Sequence, residues 1–198
     1  GKSVAILDKA NVMESILEPY GSDVNILRLP DNRTPLQMVF EGKVDLAFGL
    51  SIHAYYINKY GLFGVKPVHT LLERPSNVGM AVRTDWPELV SIMNKVIAAM
   101  KQEELPRIMN KWFLEWPQQS SSDSSEHSIG KTELQIDYKR LLSEEERSWL
   151  EQGHTVRARV GDWQPLMIKE PEPSGIAVDY LKKISERYGI KVEFVPNR

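Results

Sequence analysis

The chain has 198 residues, a formal net charge of −2 and a sequence pI of about 6.1, which argues against binding to nucleic acid or to an anionic membrane. It contains no cysteine, which excludes disulfide bonds, thiolate metal sites and a cysteine nucleophile. No apolar run approaches the roughly 20 residues needed to span a bilayer.

The first part of the chain alternates short apolar runs, typical of strands, with segments of helical periodicity. This alternation predicts a compact lobe over residues 1–83 in which a mostly parallel sheet is flanked by helices. Ligands of such sheets bind at the carboxyl ends of the strands. The predicted strands lie near residues 4–7, 25–29, 46–50, 65–71 and 78–83, and the predicted helices near residues 12–19, 35–41 and 53–59.

Two helices are predicted after this lobe. The first begins at Asp85 and Pro87 and continues to Met100, and the second covers roughly residues 106–113. An apolar face on the first helix needs a covering partner. Its members recur at helical spacing: Leu89, Ile92, Met93, Val96, Ile97 and Met100.

A serine-rich stretch follows, and we expect it to be a mobile linker over residues 117–133. Its composition offers almost nothing apolar to bury, so chain entropy is unopposed.

The tail of the chain predicts one more helix and then a strand, a helix and a strand. Ser143 is the expected N-cap of a helix over residues 141–150, with Glu146 as its capping-box partner. The strands are predicted at residues 155–160 and 190–195, and the helix between them ends at Gly189. Strand, helix and strand form the minimal unit of a parallel sheet.

Three motifs of the tail resemble the opening of amino-acid-binding periplasmic solute-binding domains, the type II or Venus flytrap family. They are an aromatic turn, an acidic loop and an opening helix, written VGDWQPLM at 160–167, EPEPSG at 170–175 and IAVDYL at 176–181. Gln164 and Leu166 stand where the family has a proline and an aromatic residue. The helix before them resembles the lead-in helix of tandem domains in bacterial membrane receptors.

Residues 1–116 resemble the second lobe and the C-terminal helices of the same domain type. The matching motifs are GKSVAIL at 1–7, EGKVDLAFG at 41–49 and RIMNKWF at 107–113. The resemblance implies an α/β fold made of two partial domains. Residues 1–116 would end a first solute-binding domain, and residues 134–198 would supply the lead-in helix and the start of the first lobe of a second one.

The resemblance places candidate ligand-binding residues at two turns of the first lobe. Ala10, Asn11 and Val12 form the turn where a helix N-terminus could hold a carboxylate. Asn at a helix start is also favoured as a plain N-cap, whether or not a ligand binds.

The second turn contains Leu50, Ser51 and His53. Leu50 stands where amino-acid binders carry an aspartate for the ligand's ammonium group, so we expect free amino acids to bind weakly or not at all. The simpler interpretation, which we favour, is that Ser51 is an N-cap and His53 a surface residue of a first helical turn. Trp163 is the candidate in the second domain, with simple packing as its alternative.

Other site chemistry is not indicated. The four histidines are scattered and the carboxylates are isolated, so we expect no metal site, no catalytic residue and no cofactor.

The resemblance implies the periplasmic, ligand-sensing part of a bacterial transmembrane receptor, joined to a sensor histidine kinase of a two-component system or to a cyclic-dinucleotide output. Alternatives are the solute-binding component of an amino-acid-type ABC transporter, or the regulatory half of a periplasmic enzyme such as a lytic transglycosylase. The expected partner is a small molecule, amino-acid-like or a carboxylate. A homodimer would form if two chains exchanged their tails. The membrane would be met only through flanking segments.

We also expect the tail unit to pack on the apolar faces of the helices near 87–100 and 106–113, within one chain or by exchange between two. Each of these parts has an uncovered apolar face, and burial contributes about 25 cal/mol per Å².

Overall fold

A computed structural model describes residues 1–71, 78–100, 104–113 and 138–196. The chain forms two compact units, Gly1–Val78 and Gly79–Arg198. The expected linker 117–133 lies outside the described residues, so its mobility stays a prediction. In the described part of the chain, no helix is both long and apolar enough to cross a membrane.

The first unit contains a three-stranded parallel sheet in the order β2-β1-β3. Strand β1 pairs with β2 over six residues, from Lys2 opposite Val24 onward, and with β3 at Val4 and Ala5. The elements in chain order are β1 (Lys2–Leu7), α1 (Asn11–Leu17), a 3-10 turn (Glu18–Tyr20), β2 (Val24–Leu29), α2 (Thr34–Phe40), β3 (Leu46–Ala47) and α3 (His53–Tyr60).

The core of this unit follows from the alternation of β1. Val4 and Ile6 are buried on one face of the strand and meet Met13 of α1. Phe48 and Leu50, just after β3, pack on the same cluster. Helix α1 therefore packs on the sheet face that carries Val4 and Ile6.

A polar contact fixes the short strand β3 in register. The carboxylate of Asp45 accepts hydrogen bonds from Lys2 Nζ at 2.8 Å and from the backbone N–H and hydroxyl of Ser3 at 2.8 and 2.7 Å. Lys2 and then Ser3 hold the pKa of Asp45 well below its usual range. The carboxylate is thus ionised and ties the start of β3 to β1.

Two strand predictions are wrong, because residues 65–71 and 78–83 are irregular where the structure describes them. Pro67 has no N–H for a ladder, and Val68 and Val78 are 74% and 55% exposed. A strand is stabilised by pairing, and among the described residues neither segment pairs with a strand. Strand β3 is also shorter than the predicted 46–50.

The second unit confirms the predicted strand, helix and strand of the tail. Strands β4 and β5 pair in parallel over six residues, from Thr155 opposite Lys191 onward. The elements are α4 (Pro87–Met100), α5 (Glu104–Trp112), a 3-10 turn (Tyr138–Leu141), α6 (Glu144–Glu151), β4 (Thr155–Val160), α7 (Ile176–Tyr188) and β5 (Lys191–Pro196). The capping box of Ser143 and Glu146 is present, and Gly189 ends α7 with a φ of 69°.

The expected packing of the tail on the preceding helices is confirmed within one chain. Helix α4 packs on α6 and α7, and α5 packs on α7. Most of the predicted apolar face of α4 is buried, except that Ile97 is only half-buried. An exposure of 7% or less on these four helices is found for Leu89, Ile92, Met93, Val96, Met100, Ile108, Trp149, Ile176, Val178 and Ile184.

Candidate functional site

The candidate site lies at the carboxyl edge of the first unit's sheet. Strands β2 and β3 lie on opposite sides of β1, so the connections that leave β1 and β3 diverge at this edge. In doubly wound α/β sheets, ligands bind in the crevice formed at such a switch point. The two turns that contain the predicted residues of this unit, 8–11 and 48–52, both lie there.

The first turn ends β1 and starts α1. Lys9 has a φ of 60°, a left-handed conformation that turns the chain sharply. Ala10 occupies the N-cap position, and its carbonyl accepts hydrogen bonds from Met13 and Glu14. The N-cap interpretation of Asn11 is therefore wrong, because Asn11 is the first helical residue and no side chain caps α1.

Asn11 and Val12 are exposed at the edge, Val12 by 70%. Their predicted contact with a ligand stays a prediction.

Leu50 in the second turn is directed toward the core of the unit. It is half-buried against Val4, Ile6 and Met13, because strand alternation puts residues 48 and 50 on the α1 side of the sheet. Ala10 packs on the same cluster, so the structure brings the two predicted turns together. Leu50 thus supplies a packing contact beneath the edge.

Ser51 is exposed and does not cap α3. Ile52, which is 5% exposed, holds the N-cap position of that helix, and no side-chain cap is formed. The N-cap interpretation of Ser51 is wrong for this reason, and Ser51 is exposed after the carboxyl end of β3.

His53 is not the surface residue that its position in a first helical turn suggests. Its ring fills the space beside Gly49, where an added Cβ would lie 2.0 Å from Cε1 of the imidazole. Burial lowers the pKa of His53 from 6.5 to about 4, so the ring is neutral at pH 7. Gly49 was not among the predicted site residues, and its signal in the sequence is a glycine four residues before a histidine.

Trp163 belongs to the second unit and is half-buried. Its backbone N–H and carbonyl both pair with Met167, at 2.9 Å in each direction. The turn leads to Gly175, whose φ is 116° and where an added Cβ would lie 2.6 Å from the carbonyl oxygen of Leu166. Only glycine fits this close approach.

The first amides of α7 are used by this turn. The N–H groups of Ile176 and Ala177 donate to the carbonyls of Pro165 and Leu166, each at 3.0 Å. These two N–H groups at the start of α7 are therefore already hydrogen-bonded within the chain.

Asp179 is isolated from other charged motifs in the sequence but paired in the structure. Asp179 accepts hydrogen bonds from the indole N–H of Trp112 at 2.7 Å and from Lys111 Nζ at 2.8 and 3.0 Å. Its side chain is only 14% exposed. The motif LysTrpPhe at 111–113 and the opening helix at 176–181 were both recognised, but their contact depends on the tertiary fold.

Within the residues that the structure describes, no three histidine, aspartate or glutamate side chains come close enough to hold a metal ion.

No family model matches this chain. Virulence sensor protein BvgS of Bordetella pertussis (strain Tohama I) is 24% identical over 113 residues, which is 57% of this chain and 9% of that protein. Virulence sensor protein BvgS of Bordetella bronchiseptica (strain RB50) is 22% identical with the same coverage. The chain therefore spans less than a tenth of these relatives.

A crystal structure of the B. pertussis BvgS periplasmic domain aligns with all of this chain and 36% of that chain, with a TM-score of 0.43 and 16% sequence identity.

Proposed function

We propose that this chain is part of the periplasmic, ligand-sensing region of a bacterial transmembrane signalling receptor with tandem Venus flytrap domains. The observation that carries the proposal is the similarity to virulence sensor proteins over 57% of the chain. The proposal assigns residues 1–116 and 134–198 to two partial domains of the periplasmic-binding type. Any catalytic output is placed outside these residues.

The geometry of the first unit supports a small-molecule site at the switch point of the sheet. Exposed Asn11, Val12 and Ser51 surround the edge, while Leu50 forms part of its apolar base. Neither Leu50 nor neutral His53 offers a negative charge to an ammonium group. At the second turn, a ligand without an ammonium group therefore fits better than a free amino acid does. The carboxylate of Asp8 in the first turn accepts a hydrogen bond from the backbone N–H of Lys9 at 3.0 Å.

The proposed mechanism is a shift between open and closed arrangements of two lobes. A ligand that contacts both lobes binds the closed arrangement more tightly and raises its population. The change in population is then passed to the output part of the receptor.

The sensing role is tested with Ser51→Trp in the natural full-length protein. A bulky ring at the rim should obstruct closure, and we expect the host's transcript profile to move toward that of a strain lacking the gene. Ser22→Trp is the matched control, because Ser22 is also exposed but precedes β2 at the opposite edge of the sheet.

Both variants are checked for unchanged abundance by immunoblot. Deletion of the gene should change the transcript profile clearly. If it does and the Ser51→Trp profile still equals that of the wild type, a sensing role for this edge is contradicted.

The periplasmic location is tested by labelling an introduced cysteine. Lys182 is exposed on α7, and the 198 residues contain no cysteine of their own. We expect Lys182→Cys in the full-length protein to react with a membrane-impermeant maleimide in cells with a permeabilised outer membrane, above the signal of the unsubstituted protein. Extra labelling seen only after lysis would place the region in the cytoplasm.

A further inference from the structure

Helices α5 and α7 are paired with opposite charges at their two ends. Glu104 in the first turn of α5 pairs with Arg187 in the last turn of α7. Lys111 in the last turn of α5 pairs with Asp179 in the first turn of α7 at 2.8 Å. The start of each helix meets the end of the other, so the two helices run antiparallel.

This charge pattern selects one orientation of the two helices. A parallel pairing would place Glu104 beside Asp179 and Lys111 beside Arg187, and like charges in contact are unfavourable. Each charged group also lies where its own helix dipole favours it, with acids in first turns and bases in last turns.

Three of the four charged groups at the ends of the pair are largely shielded from water, while Lys111 is 59% exposed. Glu104, Arg187 and Asp179 are 19%, 20% and 14% exposed, and the indole N–H of Trp112 adds a direct bond to Asp179. Ile108 and Ile184, buried at 7% and 2% exposure, lie between the charged ends of their helices. Partly buried pairs with fixed partners are better suited to specifying an orientation than to adding stability.

A second contact fixes the neighbouring helices. Lys95 Nζ of α4 lies 2.7 Å from Glu146 Oε2 of α6, and the rings of Trp86 and Trp149 meet edge to face at 5.6 Å. All these contacts join residues before position 114 to residues after position 137. The two parts of the second unit are therefore held together by non-covalent contacts as well as by the chain.

We propose that the antiparallel α5–α7 pair is a coupling joint between two successive ligand-sensing domains. It docks the last helix of one domain on the first helix of the next in a single orientation. Movement of one domain is thereby passed to the next through the joint rather than through the chain connection at 114–137. Asp179 is the positioning residue, because it binds both Lys111 and Trp112. The coupling role rests on the proposed function, while the joint itself does not.

The joint is tested by cutting the chain connection in the purified protein. A specific protease site is inserted within residues 117–133, and the protein is cleaved. We expect the two pieces to remain a 1:1 complex in gel filtration. Asp179→Lys should weaken their association by about tenfold, a value that allows for the exposure of Lys111.

The double variant Lys111→Asp with Asp179→Lys restores opposite charges, and we expect it to recover at least half of the loss on a logarithmic scale. Lys182→Asp changes an exposed charge on the same helix and should leave the association unchanged. Pieces that separate in the wild type, or a double variant no tighter than Asp179→Lys, would overturn the joint. Recovered association in the double variant would also show that Asp179→Lys acts by breaking the ion pair and not by misfolding one of the two fragments.

The coupling role is tested in the natural full-length receptor. We expect Asp179→Lys to remove the effect of Ser51→Trp on the transcript profile, and the double charge exchange to restore it. An effect of Ser51→Trp that persists in Asp179→Lys would overturn coupling through the joint. A Ser51→Trp variant without any effect would instead contradict the proposed function and leave the cleavage result standing.

Discussion

The imidazole of His53 occupies the space that a side chain at position 49 would need. Adding a single methyl group at Gly49 tests this contact. Gly49→Ala places a Cβ 2.0 Å from the imidazole Cε1, so the ring must move or the backbone must shift. We expect a loss of about 2 kcal/mol in the free energy of unfolding, as for other overpacked sites. The measurement is urea denaturation followed by circular dichroism.

Gly79→Ala is the control for this substitution, because an added Cβ there meets no atom within 4 Å. Equal midpoints for Gly49→Ala and Gly79→Ala would show that the ring does not fill the space beside Gly49.

The buried imidazole of His53 also predicts a dependence of stability on pH. Its pKa is lowered from 6.5 to about 4 by burial, so the unfolded chain takes up a proton at a higher pH than the folded one. The contribution is complete above pH 6.5 and is lost as the pH falls toward 4. Its upper limit is about 3 kcal/mol.

The test compares the wild type with His53→Gln in urea titrations at pH 7 and pH 4.5. We expect the wild type to lose more stability than the variant over this range, since glutamine does not titrate. Parallel losses in the two proteins would contradict a buried neutral imidazole.

At the scale of elements, α6 is defined by a capping box that serves a tertiary contact as well. Glu146 accepts a hydrogen bond from the Ser143 N–H at 2.7 Å and pairs with Lys95 at 2.7 Å, while being only 3% exposed. Burial alone would raise the pKa of Glu146, but hydrogen bonds from Lys95, Ser91 and the Ser143 N–H outweigh it and lower the pKa. The carboxylate is therefore ionised and joins α6 to α4.

We expect Glu146→Ala to lower the free energy of unfolding by about 3 kcal/mol. The change removes one cap and leaves Lys95 without its carboxylate in a partly buried position. Thermal unfolding followed by circular dichroism measures the loss. Glu144→Ala, in the same first turn but exposed, is the control and should change little. Equal melting temperatures for the two variants would contradict the role of the buried carboxylate.

Element prediction succeeded where local signals and tertiary context agreed. The capping box, Gly189 and the apolar spacing of α7 are all local, and each was recognised in the sequence. The segments 65–71 and 78–83 have apolar residues but no partner strand in the described unit, so their β propensity is not realised.

At the scale of the whole molecule, the apolar face of α4 is covered by residues that follow it by more than 40 positions. Ile92, Val96 and Met100 are completely buried, and α4 packs on α6 and α7. We expect deletion of residues 134–198 to lower the solubility and the melting temperature of the remainder, because this face would be returned to water. The measurements are calorimetry and gel filtration.

Deletion of residues 1–78 is the matched control, since those residues form the other unit. We expect the 79–198 fragment to keep the buried α4 face and to remain soluble. A monomeric 1–116 fragment with an unchanged melting temperature would show that α4 does not need the tail.

The positions of the two predicted turns agree with the structure, whereas the local roles expected of several of their residues do not. The order of strands and helices put the turns 8–11 and 48–52 at the carboxyl edge, and the structure places them there. The roles of Asn11 and Ser51 depend on a shift of one residue in where a helix begins. The role of His53 depends on which surroundings its side chain meets. Neither is fixed by a local pattern.

The sequence by itself determined the α/β class, the parallel strand-helix-strand units, the caps at Ser143 and Gly189 and the presence of an apolar face on α4. These features depend on periodicity and on hydrogen bonds within a few residues. Only the tertiary structure decided that Leu50 enters the core, that His53 is neutral, and that Asp179 binds Lys111 and Trp112. Burial and charge pairing depend on residues far apart in the chain, 67 and 68 positions for the Asp179 contacts, and no local spacing specifies which of them meet.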